Sequence, residues 1–123
     1  HPDYGLPNAP LSIYDPIPGL REIPMSCSMQ WKWRIPCSGG GYLRMFPYKL
    51  FRKLVKNVVD AGRPYIFYIH PWELDKDSPR VALSPLKSLR HYANLDTTEK
   101  KLERILQEFE FTTMQNVLTD HND

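Results

Sequence analysis

The apolar positions of this chain fall into one helical stretch and one unbroken run, set end to end. Between Pro47 and Ala61 they are Leu50, Phe51, Leu54, Val55, Val58 and Val59, with Lys49, Arg52, Lys53 and Lys56 among them. That is the 3.6-residue period of an amphipathic helix with a solvated basic face. Pro47 suits the start of such a helix and Gly62 its end. The run Tyr65-Ile66-Phe67-Tyr68-Ile69 follows at once and ends in His70. It does not alternate, so it reads as a strand buried on both faces, as in parallel sheets flanked by helices. Pro71 stops further pairing.

The rest of the chain is less periodic. Residues 1–19 form a loop rich in Pro, Asp and Gly. Residues 20–25 read as a short strand, with Pro24 placing it at an edge or at its own end. Trp31-Lys32-Trp33-Arg34-Ile35 alternates large apolar and basic side chains, giving a half-buried strand or one exposed aromatic face. Ser38-Gly39-Gly40-Gly41-Tyr42 reads as a flexible turn. Residues 71–95 show no period, and a loop of that length is usually functional or holds short helices. A second helix is predicted over 97–109, capped by Asp96 with Glu99 completing a capping box, and burying Leu102, Ile105, Leu106 and Phe109. Phe111 is the candidate start of a short strand, and Met114, Val117 and Leu118 mark a last helical turn. Helix, strand, long loop and helix make an α/β piece, too short for a closed barrel of ~250 residues. The expected architecture is the C-terminal half of a larger α/β domain.

Composition narrows the partners. A chain of 123 residues is one domain at most. Sixteen Lys and Arg against fourteen Asp and Glu leave +2, too little to argue for nucleic acid or an anionic membrane. No apolar stretch approaches the ~20 residues that span a bilayer. The chain starts at His1 rather than Met, which implies excision or processing from a longer parent. Cys27 and Cys37 leave both a hairpin disulfide and two free thiols open. Pro2, Pro7, Pro10, Pro16, Pro18, Pro24 and Pro36 keep the first third extended.

Candidate chemistry centres on one histidine. His1, His70, His91 and His121 have neither the spacing nor the paired cysteines of a metal site. No G-x-S-x-G elbow occurs, and Gly39-Gly40-Gly41 lacks the Lys-Ser/Thr of a P-loop. The glycines fit better a turn that another backbone or a ligand approaches closely. His70 ends the apolar run, where ligands of α/β sheets and barrels sit. An unperturbed imidazole titrates at about 6.5, so it can act as general acid or base near neutrality; the alternative is a core histidine with satisfied nitrogens. Trp72 is a sugar platform or a filler, and Glu73 orients His70 or caps a turn. Arg44, Arg80, Arg90 and His91 are further polar candidates without an assigned role.

Five stretches, taken in order, carry a resemblance: His1-Pro2-Asp3-Tyr4-Gly5, Glu22-Ile23-Pro24-Met25-Ser26, Gly39-Gly40-Gly41-Tyr42-Leu43-Arg44, Phe67-Tyr68-Ile69-His70-Pro71-Trp72-Glu73 and Arg90-His91-Tyr92-Ala93-Asn94-Leu95. Together they resemble the C-terminal part of the polysaccharide deacetylases, the NodB-homology carbohydrate esterases. The nearest subgroup is the one associated with bacterial exopolysaccharide and exosortase gene clusters. The resemblance implies the C-terminal half of a distorted (β/α) barrel with a long loop and a C-terminal helical extension. Residues 1–46 would be extended and strand segments, 47–71 a helix–strand unit ending in His70, and 72–123 the family-specific extension.

It also implies metal-dependent hydrolysis of N- or O-acetyl groups on a cell-surface or exopolysaccharide. His70 matches the family's late histidine, the general acid, although Tyr68 stands where the family motif has Leu. Trp72, Tyr42, Arg44, Gly40 and Gly41 would contact substrate. No residue here would bind metal; a divalent ion, zinc by first preference, would be held upstream of His1. The implied partners are an acetylated polysaccharide and the N-terminal half of the same chain, without nucleic acid or a transmembrane segment, and this piece alone would be inactive. The competing expectation is a non-catalytic carbohydrate-binding or exopolysaccharide-assembly module, with Trp31, Trp33 and Trp72 as sugar platforms.

Overall fold

A computed structural model describes residues 8–120 of the chain. The stretch His1-Pro2-Asp3-Tyr4-Gly5 and His121 lie outside the described residues. The architecture is mixed α/β with small sheets. Two antiparallel hairpins come first. Strands β1 (Tyr14–Ile17) and β2 (Leu20–Glu22) turn through Gly19, whose φ of +80° suits glycine. Strands β3 (Cys27–Gln30) and β4 (Trp33–Pro36) pair in register from Cys27↔Pro36 to Gln30↔Trp33. Trp31 turns that second hairpin at φ 56°, with its ring 98% exposed. Of the two sequence alternatives for this stretch, the exposed aromatic face is the one that forms, with Trp33 also 77% exposed.

Helices follow: α1 (Gly40–Met45), α2 (Tyr48–Asp60), a single 3-10 turn (Pro71–Glu73), α3 (Pro85–Tyr92), α4 (Leu95–Glu108) and α5 (Met114–Asp120). Helix α2 matches its periodicity. Pro47 caps its start, and at its end Gly62 N donates to Val59 O and Arg63 N to Val58 O around a left-handed Gly62. That double bond pattern terminates helices by satisfying their last carbonyls. Phe51, Leu54, Val55 and Val58 form its buried stripe, each contributing roughly 1.5–3 kcal/mol of burial. Leu43 from α1, Cys37 and Ile105 from α4 complete the core.

Several expectations are corrected. The run 65–70 is extended but is not a strand buried on both faces. It makes one parallel bridge, Gly39↔Tyr68, and Tyr68 and His70 are exposed. Tyr65 and Phe67 pack on the core and Ile66 is buried as well, but no strand pairs along the run among the described residues. The glycine turn is also the start of a helix, because α1 begins at Gly40; the extended part of residues 1–46 thus ends at Gly39. The loop over 71–95 holds the 3-10 turn and α3.

Helix α4 starts two residues early. Its cap is Asn94, in the left-handed conformation that Asn tolerates, and Asp96 falls inside the first turn. Of its predicted stripe, Ile105 is buried and Leu102 and Phe109 pack partly on the core, but Leu106 is half exposed. Residues 110–113 form no strand. Both cysteines are free thiols. Among the described residues no helix is long and apolar enough to cross a membrane.

Candidate functional site

Three segments distant in sequence meet at His70. The first is the turn into α1. Ser26 fastens it to the extended run: its hydroxyl accepts from Ile66 N at 2.8 Å, while its carbonyl accepts from Cys37 N and Ser38 Oγ. Tyr68 N then donates to Ser38 O at 2.9 Å and Gly40 N to Tyr68 O at 3.0 Å. These bonds lay residues 65–69 along 37–40 and deliver His70 to the edge of the molecule.

The second segment is the 3-10 turn that His70 begins. Pro71 sits at its first position, where no N–H donor is needed. Glu73 N donates to His70 O, and His70 N donates to Glu73 Oε2 at 3.0 Å. Glu73 thus fixes the main chain of His70 from both directions, which decides between its two sequence readings by uniting them. The carboxylate is 2% exposed and lies against Gly40, where a Cβ would stand 2.5 Å from Oε2. Only glycine leaves that space. Gly39 plays the same part for the Tyr68 ring, with a Cβ falling 2.9 Å from it.

The third segment is the end of α3. Arg44, projecting from α1, is 3% exposed. Its Nε donates to Glu73 Oε1 at 3.0 Å, and its Nη1 donates to the carbonyls of His91 at 2.8 Å and Ala93 at 3.2 Å. The guanidinium therefore ties all three segments together. From behind, Asn94 Nδ2 donates to Arg44 O, and Lys101 Nζ donates to the carbonyls of Leu43, Arg44 and Phe46, each at 3.0 Å. Those are the unpaired carbonyls at the end of α1, and a cation there is also favoured by the helix dipole. Desolvation at this place pulls the Lys101 pKa down.

On this frame lies a row of rings. Tyr68 meets His70 edge-on at 5.7 Å, His70 lies near-parallel to Trp72 at 6.2 Å, and Trp72 stacks on His91 at 4.1 Å. Tyr92 meets His91 edge-on at 4.7 Å and carries the Arg80 guanidinium over its own ring. Arg44 lies 5.3 Å from the Trp72 ring, within cation–π range. Within the row the imidazole of His70 is exposed, and so is Tyr68 at the row's end. An exposed proton carrier on a fixed backbone, beside a half-buried indole, suits proton transfer to a ligand lying across it.

A family model described as domain of unknown function DUF3473 matches residues 1–119. The chain belongs to this family. No curated protein and no solved structure matches it. Every residue of the His70 cluster falls within the matched span of the DUF3473 domain.

The residues predicted to form the site are largely brought together. His70, Trp72, Gly40 and Arg44 share one cluster, with Arg44 turned inward onto Glu73 and Gly40 holding the space for that carboxylate. Tyr42 is 37% exposed and its ring lies 6.0 Å from Phe46; a Cβ built at Gly41 would stand 4.0 Å from Arg44 Nη2. His91, Asn94 and Lys101 had no assigned role from sequence. Among the described residues no three His, Cys, Asp or Glu side chains group to hold a metal ion. A cleft of about 1010 Å³ between the end of α4 and α5 shares no residue with the cluster. A smaller one of about 410 Å³, lined by Leu83, Lys87, Arg90 and His91, touches it through His91.

Proposed function

We propose that this chain is the C-terminal portion of a metal-dependent polysaccharide deacetylase, completing a distorted (β/α) barrel with sequence that precedes it. In this reading His70 is the general acid and Trp72 part of the sugar groove. The observation that carries it is the pairing of an exposed His70 imidazole with a main chain held at both N and O by a buried Glu73. Order across the motif Phe67-Tyr68-Ile69-His70-Pro71-Trp72-Glu73 is what a proton donor needs, since a displaced donor loses rate steeply.

Hydrolysis of an acetamido sugar expels an amine that must gain a proton as the C–N bond breaks. An imidazolium at His70 supplies that proton to the leaving nitrogen and leaves neutral. For an O-acetyl group the same proton goes to the departing oxygen. The described residues offer no donor set for the divalent ion of such an enzyme, so the ion belongs to upstream sequence in this reading and no step here runs through it.

The test is His70→Ala in the full-length enzyme, assayed for acetate release with metal content measured in parallel. A loss of ~10²–10⁴-fold in kcat at constant metal content is expected. Near-normal turnover, or loss of the metal itself, removes His70 from this role. A non-catalytic carbohydrate-binding or exopolysaccharide-assembly module is the second reading, favoured by the hairpin tip where Trp31 is almost wholly exposed and Trp33 largely so. Polymer binding that survives His70→Ala, with no acetate released by the wild type, selects it.

A further inference from the structure

Helix α3 presents Lys87, Arg90 and His91 at i, i+3 and i+4, which places them on one face. They line one cleft of about 410 Å³ together with Leu83. From Ser78 to Leu95 the chain has no Asp or Glu, while it has Arg80, Lys87 and Arg90. Arg80 is occupied over the Tyr92 ring. The nearest carboxylate of the site, Glu73, is buried and spent on Arg44. Among the described residues neither Lys87 nor Arg90 has a hydrogen-bond or ion-pair partner. Two like charges three residues apart on a helix destabilise it unless something neutralises them.

The cleft is also continuous with the candidate site. His91 lines it and stacks on Trp72 at 4.1 Å, and Trp72 lies 6.2 Å from His70. His70 and His91 are therefore within about 10 Å ring to ring, by those two distances. An anionic group seated between Lys87 and Arg90 would belong to the same sugar as the one at His70, or to its neighbour.

We propose that this cleft is an anion subsite that recognises an acidic sugar of the polymer whose deacetylation is assigned to His70. The inference rests on that assignment and names its substrate class: a glycan bearing carboxylate, phosphate or sulfate groups. Arg90 offers a planar fork that matches an oxyanion, Lys87 a mobile point charge, and Leu83 an apolar wall for the C–H face of a ring. The arrangement reads charge without touching the scissile group, so it sets which polymer is accepted.

The experiment uses the full-length protein, wild type and the double variant K87Q/R90Q, which removes both charges and keeps helix propensity. The substrates are an acetylated polyuronate and the same polymer after carboxyl reduction. The ratio of kcat/KM on the acidic polymer to that on the neutral one should fall about tenfold in the variant, equal to about 1.4 kcal/mol. Raising ionic strength from about 0.1 to 1 M, which shortens the screening length from about 10 to 3 Å, should erode the wild-type preference and leave the variant flat. The reversed variant K87E/R90E should prefer the neutral polymer.

Equal ratios in wild type and K87Q/R90Q would overturn the proposal. So would saturable binding of inorganic phosphate at Lys87 and Arg90 without discrimination between the polymers. If neither polymer releases acetate, the deacetylase reading fails on its own. Affinity electrophoresis through gels holding each polymer still decides the subsite: retardation by the acidic gel, lost in K87Q/R90Q, supports it, and equal mobility overturns it.

Discussion

Arg44 Nε donates to Glu73 Oε1 across 3.0 Å, and each of the two side chains is 3% exposed. They are 29 residues apart in sequence and meet between α1 and the turn that starts at His70. Removing one partner strands the other charge out of water, a loss of about 3–5 kcal/mol. Arg44→Met and Glu73→Ala should each cost that much in denaturant unfolding. The double variant should cost clearly less than the two together, because neither charge is then left alone. Strict additivity would mean the pair is not coupled.

Gly40 and Gly41 are adjacent in one helix and should respond oppositely to alanine. At Gly40 a Cβ meets Glu73 Oε2 at 2.5 Å and its Cδ at 2.8 Å, so Gly40→Ala must displace the buried carboxylate. Overpacking of this kind costs about 1–3 kcal/mol. At Gly41 the nearest atom is 4.0 Å away, and alanine should stabilise the helix by up to about 1 kcal/mol. Melting temperatures of the two variants, compared with wild type, check the sign of each. Gly40→Ala alone should also change the Trp72 emission, since the turn carrying Trp72 has to move.

The two thiols should separate cleanly in alkylation. Cys37 is fully buried, and burial pushes its pKa up to about 11; Cys27 is raised too, but it is half exposed. The thiolate is the reactive form. Iodoacetamide at about pH 8 should therefore label Cys27 first and reach Cys37 only on unfolding, as read by peptide mass spectrometry. Because the folded value of Cys37 lies above the unfolded 9.0, its neutral thiol supports the fold below pH 9, and that support is lost as pH rises through about 11.

Acid should weaken the contact between α2 and the end of α4. Arg52 Nε donates to Glu108 Oε2, Arg104 lies 3.9 Å from its other oxygen, and the Arg52 hydrogen bond holds the Glu108 pKa below its usual 4.5. A carboxylate with a lowered folded pKa stabilises the fold above its unfolded value. That contribution disappears as pH falls from 4.5 through the folded value. Arg52→Gln should flatten this part of the stability profile, measured by urea unfolding at a series of acid pH values. An unchanged acid limb would assign the loss to other carboxylates.

Legibility in the sequence followed locality. Helix α2 was readable to within a residue at each end because its stripe, Pro47 and Gly62 all lie inside it. The run 65–70 was misread because a strand is made by its neighbour, and an apolar sequence does not record which neighbour it has. Here the neighbour is the Ser38–Gly40 turn, and one bridge is all it supplies. His70, Trp72 and Glu73 stood out as a contiguous motif. The partnership of Glu73 with Arg44 had no periodic signature; its only trace was the glycine at position 40, whose missing Cβ makes room for a carboxylate. Asp96 was the better cap on paper, but Asn94 takes the position, its carbonyl accepting from Thr97 N while its side chain bonds Arg44 O instead of the helix N–H groups.

Lys101 makes α4 inseparable from chemistry more than fifty residues upstream. Its ammonium closes the open end of α1 as a tethered counter-ion, and α1 in turn holds Arg44 against the turn of His70. A truncation that stops short of residue 101 would leave the carbonyls of Leu43, Arg44 and Phe46 without that ammonium and loosen, through Arg44 and Glu73, the turn that carries the imidazole. The boundary for trimming this chain is therefore set by that ammonium, however much the last helices look like a dispensable appendage.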